Sequence, residues 1–153
     1  MAKYTLYKQT NPEWKDVKMG KSNCSLGRFG CTTCSICMIS SKFGAHLPPP
    51  VAAGKYVYTI DGLLDWSASD FSPLKFVARV RGYDEKRLKE WLKDSNNTAI
   101  INVKNRWIPF HWVAADRFSI IGLNGFDPID GMPLRLKRKY EILGFALFSR
   151  RDN

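Results

Sequence analysis

The chain has four cysteines and two histidines in 153 residues, and their placement limits the chemistry on offer. Cys24, Cys31, Cys34 and Cys37 all fall within one stretch, SNCSLGRFGCTTCSICM, from Ser22 to Met38. Gly30-Cys31 stands just before a run of small and apolar residues that predicts a buried helix over Thr32 to Ser40. Cys31 then sits at a helix N-terminus, where the backbone dipole favours a thiolate over a thiol. Attack of a thiolate on an amide also needs a base, a group to orient that base, and donors for the oxyanion. His111 lies at the predicted start of a strand and can share a proton with Cys31. Asp127, sixteen residues later, lies at the end of the next predicted strand. Two antiparallel strands bring such positions side by side, so Asp127 can bind the other imidazole nitrogen. Gln9 can supply one oxyanion donor from its side-chain amide, and the backbone N–H of Cys31 the other. Singly, each residue has a plainer reading: a histidine on an apolar strand is usually structural, and an Asp before Pro is usually a turn residue.

The same thiols admit a metal reading. Cys31-x-x-Cys34-x-x-Cys37 resembles half of an iron–sulfur signature, but the Cys-Pro that should follow is missing. A zinc site would need Cys24 or a distant histidine as fourth ligand, and no second Cys-x-x-Cys pair exists. The expectation is therefore no metal and no cofactor, with Cys34 and Cys37 as core thiols behaving as small hydrophobes.

The elements that must position these residues follow from pattern. Tyr4 to Gln9 alternates weakly and predicts a short strand. Pro12 can open a helical turn carrying Trp14. Gly20 to Gly30 reads as a loop, with Gly30 supplying the flexibility for a sharp turn into the helix. Pro48-Pro49-Pro50 ends the first helical region, and a short helical turn can start at Pro50. Lys55 to Ser72 reads as irregular or short helix with Leu63, Leu64 and Trp66 buried. Leu74 to Gly82 alternates like a strand. Tyr83-Asp84 caps a charged helix over Glu85 to Asp94, with Leu88, Trp91 and Leu92 on its buried stripe. Apolar runs predict strands at Thr98–Val103, His111–Ala115 and Phe118–Leu123, the last closed by Asn124-Gly125. Asp127 to Gly131 is a turn, and Met132–Leu136 and Tyr140–Phe148 can complete the sheet. Helices first and an antiparallel sheet after is α+β order.

Length and an apolar fraction of 44% suit one domain, 1–153, with a real core. No apolar run approaches a membrane span, and the N-terminus has no apolar h-region of a secretory signal. The expectation is synthesis in the cytoplasm, with action on a cell wall only after release or as a virion component. The net charge of +10, densest at Arg135, Lys137, Arg138 and Lys139, favours an anionic partner or simply a solvated basic face. No nucleic-acid-binding signature accompanies that charge, which argues against nucleic acid. Clustered cysteines suit free thiols better than a disulfide framework.

The order Gln, Cys, His, Asp resembles the papain-like cysteine peptidases related to the bacteriocin-processing, double-glycine leader peptidases. The residues carrying the resemblance are Gln9, Pro12, Trp14, Gly20, Gly27, Gly30, Cys31 and Met38, followed by HWVAADRFSIIGLNGFDPIDG from His111 to Gly131. A looser match is DGLLDW, Asp61 to Trp66. The resemblance spans about Tyr4 to Gly131. It implies a papain-like α+β fold whose central helix carries the nucleophile and packs on an antiparallel sheet. It implies Cys31 as nucleophile, His111 as base and acid, Asp127 as orienter and Gln9 as oxyanion donor. The chain lacks the membrane and nucleotide-binding segments of the transporter members, so the likeness is to the small free-standing bacterial or phage type.

The leading expectation is a cysteine peptidase acting on a peptide, a protein or the peptides of peptidoglycan. Its substrate groove should lie around Trp66, Trp107 and Trp112. The alternative is a non-catalytic binding protein on the same fold that holds an anionic polymer or a protein through its basic surface.

Overall fold

A computed structural model describes residues 4–151. In chain order the elements are α1 (Leu26–Phe29), α2 (Cys31–Ser41), α3 (Pro49–Lys55), β1 (Leu74–Arg81), α4 (Glu85–Leu92), β2 (Asn97–Lys104), β3 (His111–Ser119), β4 (Gly122–Asp127), β5 (Met132–Arg135), α5 (Leu136–Lys139) and β6 (Glu141–Arg150). The six strands form one sheet in the order β1-β6-β2-β3-β4-β5, every pair antiparallel. The fold is α+β and papain-like, with α2 packed chiefly on β3.

α2 is held by packing more than by propensity. Its sequence, CTTCSICMISS, is rich in β-branched and hydroxyl residues, which are poor helix formers. Every residue from Thr33 to Ser41 is buried. Burying Ile36, Met38 and Ile39 contributes roughly 1.5–3 kcal/mol each. The buried hydroxyls are satisfied: Ser40 donates to the Ile36 carbonyl, Ser41 to that of Met38, and Ser35 across to that of Trp112. Such side-chain bonding lets small polar residues line a helix that is buried on nearly all sides.

The central strands are covered on both faces, which is why they read as continuous apolar runs. On one face Ile100, Trp112, Ala114, Ala146 and Phe148 pack with Ile36 and Met38 of α2. On the other, Ala99, Ile101, Val103, Val113 and Phe145 pack with Leu88 of α4 and Leu136 of α5. Asp84 caps α4, its carboxylate accepting from the Arg87 N–H at 3.1 Å.

Four local expectations are corrected. Residues 4–8 hold no regular secondary structure and join no strand; the Thr5 N–H goes to the Ser41 hydroxyl and the Gln9 N–H to the Pro128 carbonyl. The loop before Gly30 contains a helical turn, α1, anchored by fully buried Leu26. The apolar run Phe118–Leu123 is a hairpin and not one strand: β3 ends at Ser119, Ile120 and Ile121 stand exposed at the tip, and Gly122 takes φ 119°, a left-handed value suited to glycine. Leu63 is exposed, while Leu64 and Trp66 are half-buried.

Candidate active site

Cys31 is the first residue of α2, so its N–H is one of the amides that a helix start leaves without a carbonyl inside the helix. Gly30 is required here by space and not by flexibility. Its φ of −86° is open to any residue, but an added Cβ would fall on the Leu26 carbonyl oxygen and lie 2.8 Å from the Leu26 Cα. The tight turn that Gly30 makes over Leu26 at the end of α1 therefore leads directly into Cys31.

β3 brings His111 to that helix start. Its second residue, Trp112, is tied to α2 by the 3.1 Å bond from Ser35, one turn beyond Cys31. Asn102 of β2 donates to the His111 carbonyl at 3.1 Å from within the sheet. The His111 ring is buried and its Nε2 meets Asp127 Oδ1 at 2.9 Å. The other ring nitrogen is then left for Cys31, and the thiol and the imidazole each shift the other's protonation. Asp127 sits at the end of β4. Continuing the β3–β4 register one step past Ala114 and Phe126 sets it across from Val113 and diagonal to His111.

Asp127 is held on all sides. Its Oδ1 also accepts from the Ile129 N–H at 3.0 Å. Its Oδ2 accepts from Lys139 at 2.8 Å and from the Tyr140 hydroxyl at 2.5 Å. Lys139 and Tyr140 are part of the site that sequence reasoning missed. They lie twelve and thirteen residues from Asp127, and no local pattern marks them. One of the four residues in the dense basic cluster is thereby committed to the carboxylate and not to an outside partner.

These contacts set the charges. Burial works against the Asp127 carboxylate, but the bonds from His111, Lys139 and Tyr140 outweigh it and hold the group well below the usual carboxylate range. Burial also disfavours a charged His111, yet the bonds to Asp127 and Cys31 lift it to about 9. Burial raises the Cys31 thiol; the His111 bond and charge, the Trp112 N–H and the Thr32 hydroxyl together bring it below its ordinary value. The site thus favours a thiolate–imidazolium pair.

Gln9 is buried and links α1 to the turn that follows β4. Its side-chain N–H donates to the Gly27 carbonyl at 3.2 Å, and its backbone N–H to the Pro128 carbonyl at 2.7 Å. The amide nitrogen keeps a second hydrogen, while Oε1 has no hydrogen-bond partner among the described residues. If that hydrogen serves the oxyanion, Gln9→Ala should lower kcat by about 10²–10³-fold with KM nearly unchanged. A change confined to KM would assign Gln9 to substrate binding alone.

Beside Cys31 opens a groove of about 670 Å³ with Tyr58, Leu64, Trp66, Phe76 and Trp112 on its walls. The Arg79 guanidinium lies 5.3 Å from the Trp112 ring and 5.9 Å from that of Trp66. Trp107, expected among the groove residues, is exposed and does not line it. His46 is likewise outside the groove. Cys34 and Cys37 are fully buried, and burial pushes both thiols up. Among the described residues no group of three or more His, Cys, Asp or Glu side chains converges as a metal ligand set. Iodoacetamide at neutral pH should therefore label Cys31 at least about tenfold faster than Cys34 or Cys37 in the folded protein. Equal rates would remove the claim of an activated thiol.

The fold is a papain-like plan in which Cys31 opens α2 and His111 of β3 bonds Asp127 at the end of β4. Among solved structures, the chain is similar to a double-glycine-motif protease from an AMS/PCAT transporter, determined in complex with the leader peptide. Identity is 16% and the TM-score 0.59, over 97% of this chain and 93% of that one. The resemblance read from the motifs to the double-glycine leader peptidases is thus met at the level of fold. No family model matches the sequence, and no curated protein matches it.

Proposed function

We propose that the protein is a cysteine peptidase. The observation that carries this reading is the buried imidazole of His111, braced by Asp127 at 2.9 Å and coupled in protonation to the half-buried Cys31 thiol beside an open groove. In this reading the Cys31 sulfur attacks the scissile carbonyl carbon. The oxyanion is received by the Cys31 N–H and the free hydrogen of the Gln9 amide. Protonated His111 donates to the leaving amine, leaving a thioester on Cys31. A water then enters, His111 takes its proton, and collapse of the second tetrahedral species frees the acid and the thiolate.

The substrate proposed is a peptide, either as such or as part of the cell wall. Support comes from the groove, whose aromatic and aliphatic walls suit apolar side chains of an extended chain. The similar protease of known structure holds a leader peptide. The test is incubation of the protein with purified peptidoglycan and, separately, with a peptide library, comparing wild type with Cys31→Ala by mass spectrometry. New amine and carboxyl termini that appear only with wild type support the reading. Identical product profiles from the two proteins would overturn it and favour a binding role for the basic surface.

A further inference from the structure

Two thiols stand behind the nucleophile with no part in hydrolysis. Cys34 follows Cys31 by three residues on α2, so the side chains share one helix face with Cβ atoms about 5–6 Å apart. Their surroundings differ. Cys31 is half-buried and faces the groove, while Cys34 is fully buried beneath it. Burial raises the Cys34 thiol, and the neighbouring Cys37 and Cys31 raise it further. An accessible thiolate beside a second, protected thiol is the arrangement that turns oxidation of a nucleophile into a reversible event.

We propose that Cys31 and Cys34 form a disulfide under peroxide and so switch the nucleophile off reversibly. The switching role rests on the reading of Cys31 as nucleophile; the disulfide itself does not. In the first step the Cys31 thiolate attacks one oxygen of hydrogen peroxide, the O–O bond breaks, and hydroxide leaves. Cys31 is then a sulfenic acid. In the second step Cys34 gives up its proton and its sulfur attacks the Cys31 sulfur. The S–S bond forms, the S–O bond breaks, and the oxygen leaves as water. Two thiols and one peroxide yield one disulfide and two waters.

Geometry favours Cys34 as the resolving partner. A helical spacing of three residues meets the Cα separation a disulfide needs, but the Cβ atoms must close to ~3.8 Å. The first turn of α2 can yield by that amount. The Cys34 N–H to the Gly30 carbonyl at 2.9 Å is the bond that opens the helix, and residues 31–33 lie ahead of it. Cys37 lies a further three residues into the core. Cys24 is outside the helix, its thiol donating to the Asp61 carbonyl at 3.2 Å.

The test uses the full chain as wild type, Cys34→Ala and, should alanine impair folding, Cys34→Ser. Each is treated with hydrogen peroxide, unfolded in urea, capped with iodoacetamide and digested with trypsin. The peptide from Phe29 to Lys42 carries all three helix thiols. The expected wild-type product is lighter than the uncapped peptide by two hydrogens before the single cap on Cys37 is counted, and fragmentation places the bridge between Cys31 and Cys34. Dithiothreitol should restore iodoacetamide labelling of Cys31. In the Cys34 variants Cys31 should instead pass to sulfinic or sulfonic acid, which dithiothreitol does not reverse. Equal over-oxidation of Cys31 in wild type and variant would overturn the proposal, as would a bridge from Cys34 to Cys37 or from Cys31 to Cys24. The mass readout needs no substrate. A Cys31–Cys34 bridge in a protein that hydrolyses nothing would sink the peptidase reading and leave the disulfide chemistry standing.

Discussion

Replacing Cys31 with alanine is expected to lower hydrolysis of a peptide or cell-wall substrate on the order of 10⁶-fold in kcat, below detection in most assays. The reason is that covalent attack has no substitute nucleophile at the groove. Cys34 and Cys37 are fully buried behind Cys31, and burial holds both as neutral thiols. His111→Ala should cost about as much, because the thiolate loses its counter-ion and the leaving amine loses its acid. The double variant should be no worse than either single one, since the pair acts as a unit. Folding should be nearly unaffected by Cys31→Ala: the thiol is half-buried and only one sulfur is removed, so thermal unfolding is the control. A Cys31→Ala protein that is as active as wild type would end the peptidase proposal.

The second large effect concerns Asp127. Asp127→Asn keeps the size of the side chain but removes the charge that sustains His111 as imidazolium. The expected loss in kcat/KM is about 10²–10⁴-fold. The pH profile separates this role from a structural one. In wild type, activity should rise with pH as the Cys31–His111 pair forms, at a thiol pKa below the ordinary value. It should fall as His111 loses its proton near about 9. The sign follows from the acid role: above that pH the imidazole is neutral and cannot protonate the leaving amine. Asp127→Asn removes the first contact that lifts His111, so the alkaline limb should move down toward the ordinary imidazole value of 6.5. A profile that keeps its alkaline limb, with activity lost only through unfolding, would assign Asp127 to the fold alone. The rate of iodoacetamide labelling of Cys31 against pH gives the same information without a substrate.

The bracing of Asp127 makes this variant informative. Lys139 and Tyr140 converge on the carboxylate oxygen that does not face His111. With an amide there, the Lys139 ammonium loses its ion-pair partner at the site and one polar contact is reversed. A stability loss of about 1–3 kcal/mol is the expected scale for disturbing a buried charged bond of this kind. Activity must therefore be compared at a temperature where both proteins are folded.

Much of the candidate site was legible in sequence because its parts carry local marks. Cys31 stands where small residues begin a helix, His111 where an apolar run begins a strand, and Asp127 before a proline turn. Each mark lies within a window of a few residues, where propensity and periodicity operate. The same local logic failed where an apolar run concealed a turn, as at Ile120 and Ile121, because exposure at a hairpin tip is not written in hydrophobicity. It also gave Gly30 the wrong reason. Flexibility is a property of the residue, whereas the clash with Leu26 depends on how tightly the chain turns at the end of α1.

By itself, the sequence determined the α+β order, the residue types needed for a thiol attack and their order along the chain. Only the tertiary structure decided how they are held. Ser35 reaches Trp112 across 77 residues, and Gln9 reaches Gly27 while its backbone is tied to Pro128. Lys139 and Tyr140 meet Asp127 because α5 returns the chain to the end of β4. Such partners depend on sheet register and helix placement, which are set by long-range packing of two buried faces. No spacing within the chain encodes them, because the residues that meet are brought together only when the whole sheet closes.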